Sequence, residues 1–516
     1  MATQRQTFPV EFRGGLISNM SPLQQGLNAV GSATKLQNFE PSKEGGYKKV
    51  LGYTKYISGQ VSGSGKILGV KVANAEKVIT IRKNGSNLSE YYINVGSAWV
   101  SLGAAPSLGG RVRGVNFNFN GDDKIFFVDG TNRPGVFNDT GDTLTFPATS
   151  ASFPVDLTGS SFTAELNGTL FAGNGTNLIF SSPYNELDWS SASGGGIINV
   201  GKTITGLITF RNSLIIFCEN GIKNLVGTSS SDFVLSNITS DLGCPYPDTI
   251  QEVGGDIMFL GPDGIRYLSA SERIDDFGLE LASAPIETDI KELIRGSSLF
   301  SSLTLKEKGQ YRLFAYVEGL SDKLSNGVLA TKFSNQDSSN VAWGTLLGFK
   351  AYCTDSSYES GREYIVFANE DGYVYKLEDG FTRDGEPIRA VYKSPVMPIT
   401  DPTKRKTLYK LALYTSTTGL FSVDLNIYYD GYKISNYNGI NPPTITLDNA
   451  GGGVYIWGSS EAIYGTAVYG GQLDNIFDAN VIGAGKTFSI VIKDSSLNPS
   501  FTLDTMIIEY REHDRQ

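Results

Sequence analysis

Residues 253–269 read Val-Gly-Gly-Asp-Ile-Met-Phe-Leu-Gly-Pro-Asp-Gly-Ile-Arg-Tyr-Leu-Ser, and this stretch sets the pattern for most of the chain. The four consecutive apolar residues at 257–260 are typical of a strand that is buried on both faces. Pro262, Asp263 and Gly264 then supply turn chemistry, since Gly takes positive φ without strain, and a second apolar run begins at Ile265. The stretch therefore predicts one β-hairpin.

The same pattern, an apolar run followed by a glycine turn, occurs seven times along the chain. The turn glycines are at positions 85, 130, 175, 221, 264, 319 and 372. Their spacing of roughly 43 to 55 residues is the repeat length of a β-propeller blade. Residues 65–100 alone contain four apolar runs separated by three turns, which is the strand count of one blade. We therefore predict a β-propeller of six or seven blades.

Composition supports an all-β fold class. The chain has 516 residues, with 60 Gly, 26 Tyr and 28 Phe but only 19% charged residues, which favours strands and tight turns over surface helices. A chain of this length suggests one large domain with smaller additions. The three cysteines, Cys218, Cys244 and Cys353, show no paired spacing and indicate buried, reduced thiols in a protein made in the cytosol.

Changes in rhythm divide the chain into three parts. We predict an N-terminal arm over residues 1–53, a propeller over 54–385, and a C-terminal β-sandwich over 386–516. Within the arm, whose periodicity is poor, we interpret residues 33–38 as a strand that begins the first blade, and the remainder as an irregular segment or one that reaches a neighbouring subunit. Residues 284–295 have helical spacing behind Pro285 and predict one short helix.

Strands of the predicted sandwich lie on both sides of a Gly- and Asn-rich segment, residues 436–453. In residues 421–429 the alternation places Val423, Leu425 and Ile427 on one face. Residues 389–392, 404–414, 489–492 and 502–510 also predict strands.

The sequence offers little catalytic chemistry. Residues 196–203 match the Walker A pattern, but Thr203 opens an apolar strand rather than the helix that a P-loop needs to hold phosphates. The only histidine is His513, which excludes His-based triads and His metal clusters. Asp139 and Asp142 could hold Ca²⁺ but fit a turn better.

Carboxylate chemistry of the glycosidase kind is the enzymatic alternative. The candidates are Asp122, Asp123, Asp188, Asp241, Asp256 and Asp263, and neutralising Asp122, Asp188 and Asp256 would test it. Nearly all such residues lie beside Gly, Asn or Pro, which favours a role in turns. The sequence therefore predicts a protein that is not an enzyme, with no catalytic, cofactor-binding or metal-binding residue and no cofactor.

Charge and hydropathy limit the partners. With 43 basic and 53 acidic residues the net charge is −10, which argues against a broad basic face that grips nucleic acid but not against a surface along which DNA slides. The sequence contains neither a signal-peptide pattern nor 18 consecutive apolar residues, so we expect no membrane-spanning segment.

The order of segments resembles the nozzle or hub proteins of short-tailed bacteriophages, also called packaged-DNA stabilisation proteins, over nearly the whole chain. Three stretches carry the resemblance: residues 162–189, which end in Ser-Ser-Pro-Tyr-Asn-Glu-Leu-Asp-Trp; residues 210–228; and residues 242–247, Leu-Gly-Cys-Pro-Tyr-Pro, which lead into the hairpin quoted above. The N-terminal Gly14-Gly15-Leu16 and Gly45-Gly46-Tyr47 are similar to the openings of virion structural proteins.

The resemblance implies a virion tail protein that is assembled in the host cytoplasm. It would form a homo-oligomeric ring, a hexamer, that encloses the DNA exit channel, holds packaged DNA and conducts it during ejection. Its partners would be tail adaptor and portal-side proteins, tail fibre or plug proteins, and double-stranded DNA that passes without specific binding. Two alternatives stay open: a propeller hydrolase or lyase that acts on glycans, and a monomeric binding propeller.

Overall fold

The computed structural model of the chain describes residues 5–73, 77–270, 277–333, 341–359, 361–417, 419–430, 444–448 and 473–513. The fold is all-β, with a seven-bladed propeller and a C-terminal sandwich in these residues. Of the predicted Gly- and Asn-rich segment at 436–453, only residues 444–448 are among the described residues.

Five blades are self-contained antiparallel sheets of four consecutive strands, ordered from the axis outwards as in the sequence. Blade 1 contains Ser64–Val72, Val78–Lys83, Ser89–Val95 and Ala98–Ala104. Blade 2 contains Arg113–Phe119, Asp122–Val128, Gly135–Asn138 and Thr143–Thr145. Blade 3 contains Phe162–Leu166, Thr169–Asn174, Asn177–Phe180 and Gly196–Asn199. Blade 4 contains Ile204–Phe210, Ser213–Cys218, Gly221–Val226 and Val234–Thr239. Blade 5 contains Gln251–Val253, Asp256–Leu260, Ile265–Ala270 and Phe277–Leu281.

Blades 6 and 7 recruit strands from elsewhere in the chain. Blade 6 contains Leu299–Leu305, Gln310–Tyr316, Asn326–Lys332 and Val341–Leu347. Blade 7 contains Cys353–Glu359, Arg362–Ala368 and Val374–Leu377, and its outer strand is Tyr53–Lys55 from the beginning of the chain, followed by Thr382–Arg383 and Glu386–Pro387. The first strand of blade 7 also contacts the first strand of blade 1, so the ring is closed.

The hairpin at residues 253–269 is confirmed. Asp256–Leu260 pairs with Ile265–Ala270, and Leu260 lies opposite Ile265. Gly264 has φ +152°, and a Cβ added there would lie 2.6 Å from the Ser283 Oγ, so only glycine fits this turn. The short helix is confirmed as well: a 3-10 turn, Ala284–Ile286, leads into helix α2, Glu287–Gly296, while helix α1, Pro22–Asn28, lies in the arm.

The arm is integrated into the sheets, which corrects the prediction that residues 33–38 begin the first blade. Strand Lys35–Gln37 lies between the outer strand of blade 6 and Ala390–Lys393. It thereby joins blade 6 to a C-terminal sheet that continues through Phe488–Asp494, Ser422–Tyr429 and Ile445–Asp448, giving nine strands in one sheet. Short-range periodicity does not show these partners because they are more than 300 residues away along the chain.

A second, six-stranded sheet completes the sandwich. It contains Gln6–Glu11, Phe39–Pro41 and Tyr47–Lys49 from the arm together with Lys406–Thr417, Leu473–Gly485 and Phe501–Glu512. Val423, Leu425 and Ile427 are buried between the two sheets, as their alternation predicted, and they belong to the same core as Leu411 and Met506. Burial of this shared core holds the arm and the C-terminal strands together.

Aromatic side chains fill the spaces between blades. The Trp189 indole stacks on Phe126 of blade 2 with ring centroids 5.4 Å apart, and its Nε1 donates to the carbonyl of Glu186 at 2.9 Å. All three cysteines are buried free thiols that form no disulfide, as predicted.

Candidate functional site at the propeller axis

Side chains from several blades converge on the propeller axis, where the inner strands surround a central channel. Arg113 is the first residue of the inner strand of blade 2, and Asp248 lies in the 3-10 turn Pro247–Thr249 that precedes the inner strand of blade 5. The Arg113 Nε lies 2.7 Å from the Asp248 Oδ1, and its Nη2 lies 2.9 Å from the Asp248 Oδ2. Because blades 2 and 5 are on opposite sides of a seven-bladed ring, this bidentate ion pair crosses the channel.

Residues in or next to other blades form further polar contacts with this ion pair. The Arg111 Nε lies 3.3 Å from the Asp248 Oδ2, and the Arg111 guanidinium also donates to the carbonyl of Tyr352 at the entrance of blade 7. From blade 6, the Ser302 Oγ donates to the Asp248 carbonyl at 2.9 Å. The Arg113 Nη1 donates to the carbonyl of Ser161, next to blade 3, at 3.1 Å. Residues in or next to five of the seven blades therefore take part in this network, in which Arg111, Arg113 and Ser302 contact Asp248 itself.

The electrostatics of this network favour the ionised pair. Burial raises the pKa of Asp248, but the Arg111 and Arg113 guanidinium groups outweigh it and hold the pKa below its ordinary value. The carboxylate is thus charged at neutral pH and fully engaged. A general acid or base needs a carboxyl that exchanges protons near the working pH, so Asp248 is suited to holding blades together rather than to catalysis.

The three carboxylates whose neutralisation would test the enzymatic alternative, Asp122, Asp188 and Asp256, are in three different blades. Asp122 is exposed, with its Oδ2 3.9 Å from the Lys124 Nζ. Asp188 accepts hydrogen bonds from the backbone and hydroxyl of Ser190, at 3.0 and 2.7 Å, and hydrogen bonds from neighbouring serines lower its pKa. Asp256 forms an ion pair with Lys332. Within the described residues, the fold does not bring these carboxylates together into a pair of the kind that glycosidases use.

The acidic turn at Asp139 and Asp142 is occupied by a lysine. The Lys77 Nζ lies 3.0 Å from the Asp139 Oδ1 and 2.7 Å from the Asp142 Oδ1. An ammonium group thus takes the place that a cation would have between the two carboxylates. In the described part of the chain, no group of three or more His, Cys, Asp or Glu side chains is arranged to hold a metal ion.

The Walker A match is not a phosphate site. Its first residues form strand Gly196–Asn199, and the next strand, Ile204–Phe210, begins directly after Thr203, so a helix N-terminus is not available there. The Lys202 Nζ donates to backbone carbonyls, including that of Ser240 at 2.6 Å. His513 is also in a structural role, with its Nε2 2.8 Å from the Thr407 Oγ1.

Two buried charge clusters tie the arm to the rest of the protein. The Lys49 Nζ lies 2.6 Å from the Asp494 Oδ2, and both side chains are almost fully buried. The Glu40 Oε2 accepts from the Arg312 Nη2 of blade 6 at 2.9 Å, and its Oε1 lies 2.6 Å from the Lys308 Nζ. Sequence reasoning missed these pairs because their members are hundreds of residues apart.

Comparison with known proteins adds no functional assignment. No protein-family model matches the chain, and a search of the curated proteins finds no match. Among solved structures, the chain is similar to the extracellular domains of a one-component and a hybrid two-component system from B. thetaiotaomicron, at 12% and 9% identity with TM-scores of 0.39 and 0.38. These alignments cover 72% and 63% of this chain but only 44% and 41% of the other two chains.

An exo-β-1,3-galactanase from Phanerochaete chrysosporium is also similar, at 10% identity over 89% of this chain and the whole of the other, with a TM-score of 0.27. Scores and identities this low do not carry function from one protein to another. No helix in the described residues is long and apolar enough to cross a membrane.

Proposed function

We propose that this protein is a non-enzymatic structural subunit of the tail of a short-tailed phage. Copies of it form the nozzle or hub ring that encloses the DNA exit channel, holds packaged DNA and conducts it during ejection. The proposal begins from the resemblance of residues 162–189, 210–228 and 242–247 to that family.

The observation that carries the proposal is the nine-stranded sheet. Strand Lys35–Gln37 hydrogen-bonds to blade 6 on one side and to Ala390–Lys393 on the other, so the propeller and the sandwich share a continuous backbone ladder. Rotation of one part against the other would break this ladder together with the buried Lys49–Asp494 pair. A subunit that retains packaged DNA needs such rigidity, whereas a hinge between domains is the usual way to admit and release a substrate.

The axial network supports the same function. The Arg113–Asp248 pair crosses the channel of each propeller, so DNA would pass between copies and not through a propeller. A net charge of −10 suits such a wall, because a basic lumen would retain phosphates by releasing their counterions.

Exposed aliphatic side chains on the outer strands of the blades provide surfaces for contacts between copies. Val226 and Val234 of blade 4 are directly opposite each other in neighbouring strands, and both are exposed. Val95 and Val100 of blade 1 and Ile197 of blade 3 are exposed in the same way. When another protein covers exposed apolar residues on an outer strand, their removal from water favours the association.

The experiment is native mass spectrometry with negative-stain electron microscopy of the purified chain. We expect a closed ring with a mass near six times 55.7 kDa. A double variant, Val226→Asp with Val234→Asp, should shift the population towards monomers, whereas Asn237→Asp, on the other face of the same strand, should not. A wild-type protein that is monomeric in physiological buffer would count heavily against the proposal.

A further inference from the structure

A groove of about 560 Å³ lies between helix α2 and the end of blade 6, away from the axial network. Its floor crosses four neighbouring strands, which contribute Ala315, Val328, Leu347 and Gln37 in that order. Strands are about 4.8 Å apart, so four of them span about 14 Å, the length of about four residues of an extended peptide. The groove thus has the length and volume of a site for a short peptide segment.

The wall formed by helix α2 is acidic. Asp289 and Glu292 both line the groove, and neither forms an ion pair within the described residues. The Asp289 Oδ2 is buried and has no hydrogen-bond partner in that part of the chain. A buried acceptor without a hydrogen-bond partner destabilises the free protein, and a donor from a ligand would recover this loss.

The remaining charge in the groove also favours a cation. Gly296, the last residue of helix α2, lines the groove, so the negative end of the helix dipole lies there. Lys35 is the one basic side chain among the described lining residues, and this side chain is exposed to solvent. The Lys291 ammonium is engaged by Glu287 outside the groove.

The floor is mainly apolar, and part of it is accessible. Val317, Leu320 and Leu347 are half-buried, and Ala315 continues the same surface towards the helix. Aliphatic side chains placed on this floor would bury apolar surface while a neighbouring charged group reached the Asp289 carboxylate. An apolar floor with one anionic wall selects a segment in which aliphatic residues flank a cation.

We propose that this groove binds an extended segment of a partner protein, about four residues long, in which a lysine or arginine that is flanked by aliphatic side chains pairs with Asp289. This inference goes beyond the proposed function and does not depend on ring formation. A ring that forms without peptide binding, or a monomer that binds peptide, would separate the two.

The test measures binding of fluorescein-labelled Leu-Arg-Leu-Ser by fluorescence anisotropy, with Leu-norleucine-Leu-Ser and Leu-Glu-Leu-Ser as matched peptides. We expect saturable binding of the arginine peptide that weakens roughly 10- to 100-fold with norleucine and further with glutamate, the range of one charge-assisted hydrogen bond. Asp289→Asn should weaken the arginine peptide by the same factor but leave the norleucine peptide unchanged.

Glu287→Gln, on the same helix but paired with Lys291 outside the groove, serves as the control and should bind as the wild type does. Circular dichroism checks that each variant is folded, and if Asp289→Asn is not, Glu292→Gln replaces it, with a smaller weakening expected. Equal binding of the arginine and glutamate peptides, an unchanged affinity in the acidic-wall variant, or no saturable binding up to the solubility of the peptide would overturn the proposal.

Discussion

Removal of the Lys49 ammonium should loosen the attachment of the arm to the sandwich. Lys49 is 0% exposed and Asp494 is 1% exposed, with 2.6 Å between Nζ and Oδ2. In a Lys49→Met variant the Asp494 carboxylate would stay buried and, among the residues that the structure describes, would keep one hydrogen bond, from the Ser496 backbone N–H at 2.7 Å. Leaving one member of a buried ion pair without its partner typically costs about 3–5 kcal/mol.

Hydrogen exchange measures this cost locally, which matters because a chain of several parts does not unfold in a single two-state step. We expect protection of strand Tyr47–Lys49 to fall by about two to three and a half orders of magnitude, since about 1.4 kcal/mol corresponds to a factor of ten. Lys48→Met is the matched control, because Lys48 is half-buried and has no ion pair within the described residues. It should change protection by less than tenfold.

A double variant tests whether the charge is the cause. Lys49→Met with Asp494→Asn removes both charges but keeps an oxygen for the Ser496 N–H, so part of the lost protection should return, leaving a deficit of about 1–3 kcal/mol for the unpaired amide. If Lys49→Met and Lys48→Met lower protection equally, or if the double variant is no better protected than Lys49→Met, the ion pair does not hold the arm and the reasoning is wrong.

Three further predictions concern the propeller. Because the pKa of Asp248 is lowered in the fold, its ion pair stabilises the propeller above the ordinary carboxyl pKa of about 4, and this stabilisation is lost as the pH falls towards the lowered value. Arg113→Gln should therefore raise the pH at the midpoint of acid unfolding. An unchanged midpoint would contradict the axial role. Trp189→Ala should destabilise the blade 2–blade 3 contact by about 3–5 kcal/mol, measured by hydrogen exchange of these two blades, whereas Trp189→Phe, which keeps a ring beside Phe126, should cost less. Equal losses would show that stacking is unimportant. Burial raises the pKa of the Cys244 and Cys353 thiols to about 12 and that of Cys218 above its usual value, so none should react with a thiol reagent at pH 8 until urea is added, and fast labelling of the native protein would argue against their burial.

The blades were predictable from the sequence because each is built from contacts that are close along the chain. In the hairpin Asp256–Leu260 and Ile265–Ala270, the apolar runs and the turn between them lie within 15 residues, so hydrophobic pattern and turn chemistry suffice. The same applies to helix α2 and to the buried face of Ser422–Tyr429.

The position of the arm was not predictable in this way. Strand Lys35–Gln37 is three residues long, too short for periodicity to identify its partners, and these are near residues 345 and 391. The axial network has the same difficulty: Arg113 and Asp248 are 135 residues apart, and each alone is an ordinary polar residue before a strand. A weak signal was present, since Arg113 begins the inner strand of blade 2 and Arg111 lies two residues before it.

The axial network and the exposed valines of blade 4 bear on different questions about the proposed function. The axial network acts within one propeller, so Arg113→Gln should lower stability at acid pH while leaving contacts between copies intact. Val226 and Val234 are exposed, so replacing them with aspartate should leave the fold of each copy intact. It should change only the contacts that cover the outer strand. If assembly depended on Arg113 but not on these valines, the copies would have to meet at the axial end of the propeller, and the outer strands would be free for other partners. Ring formation by both variants would place the contacts between copies on the sandwich instead.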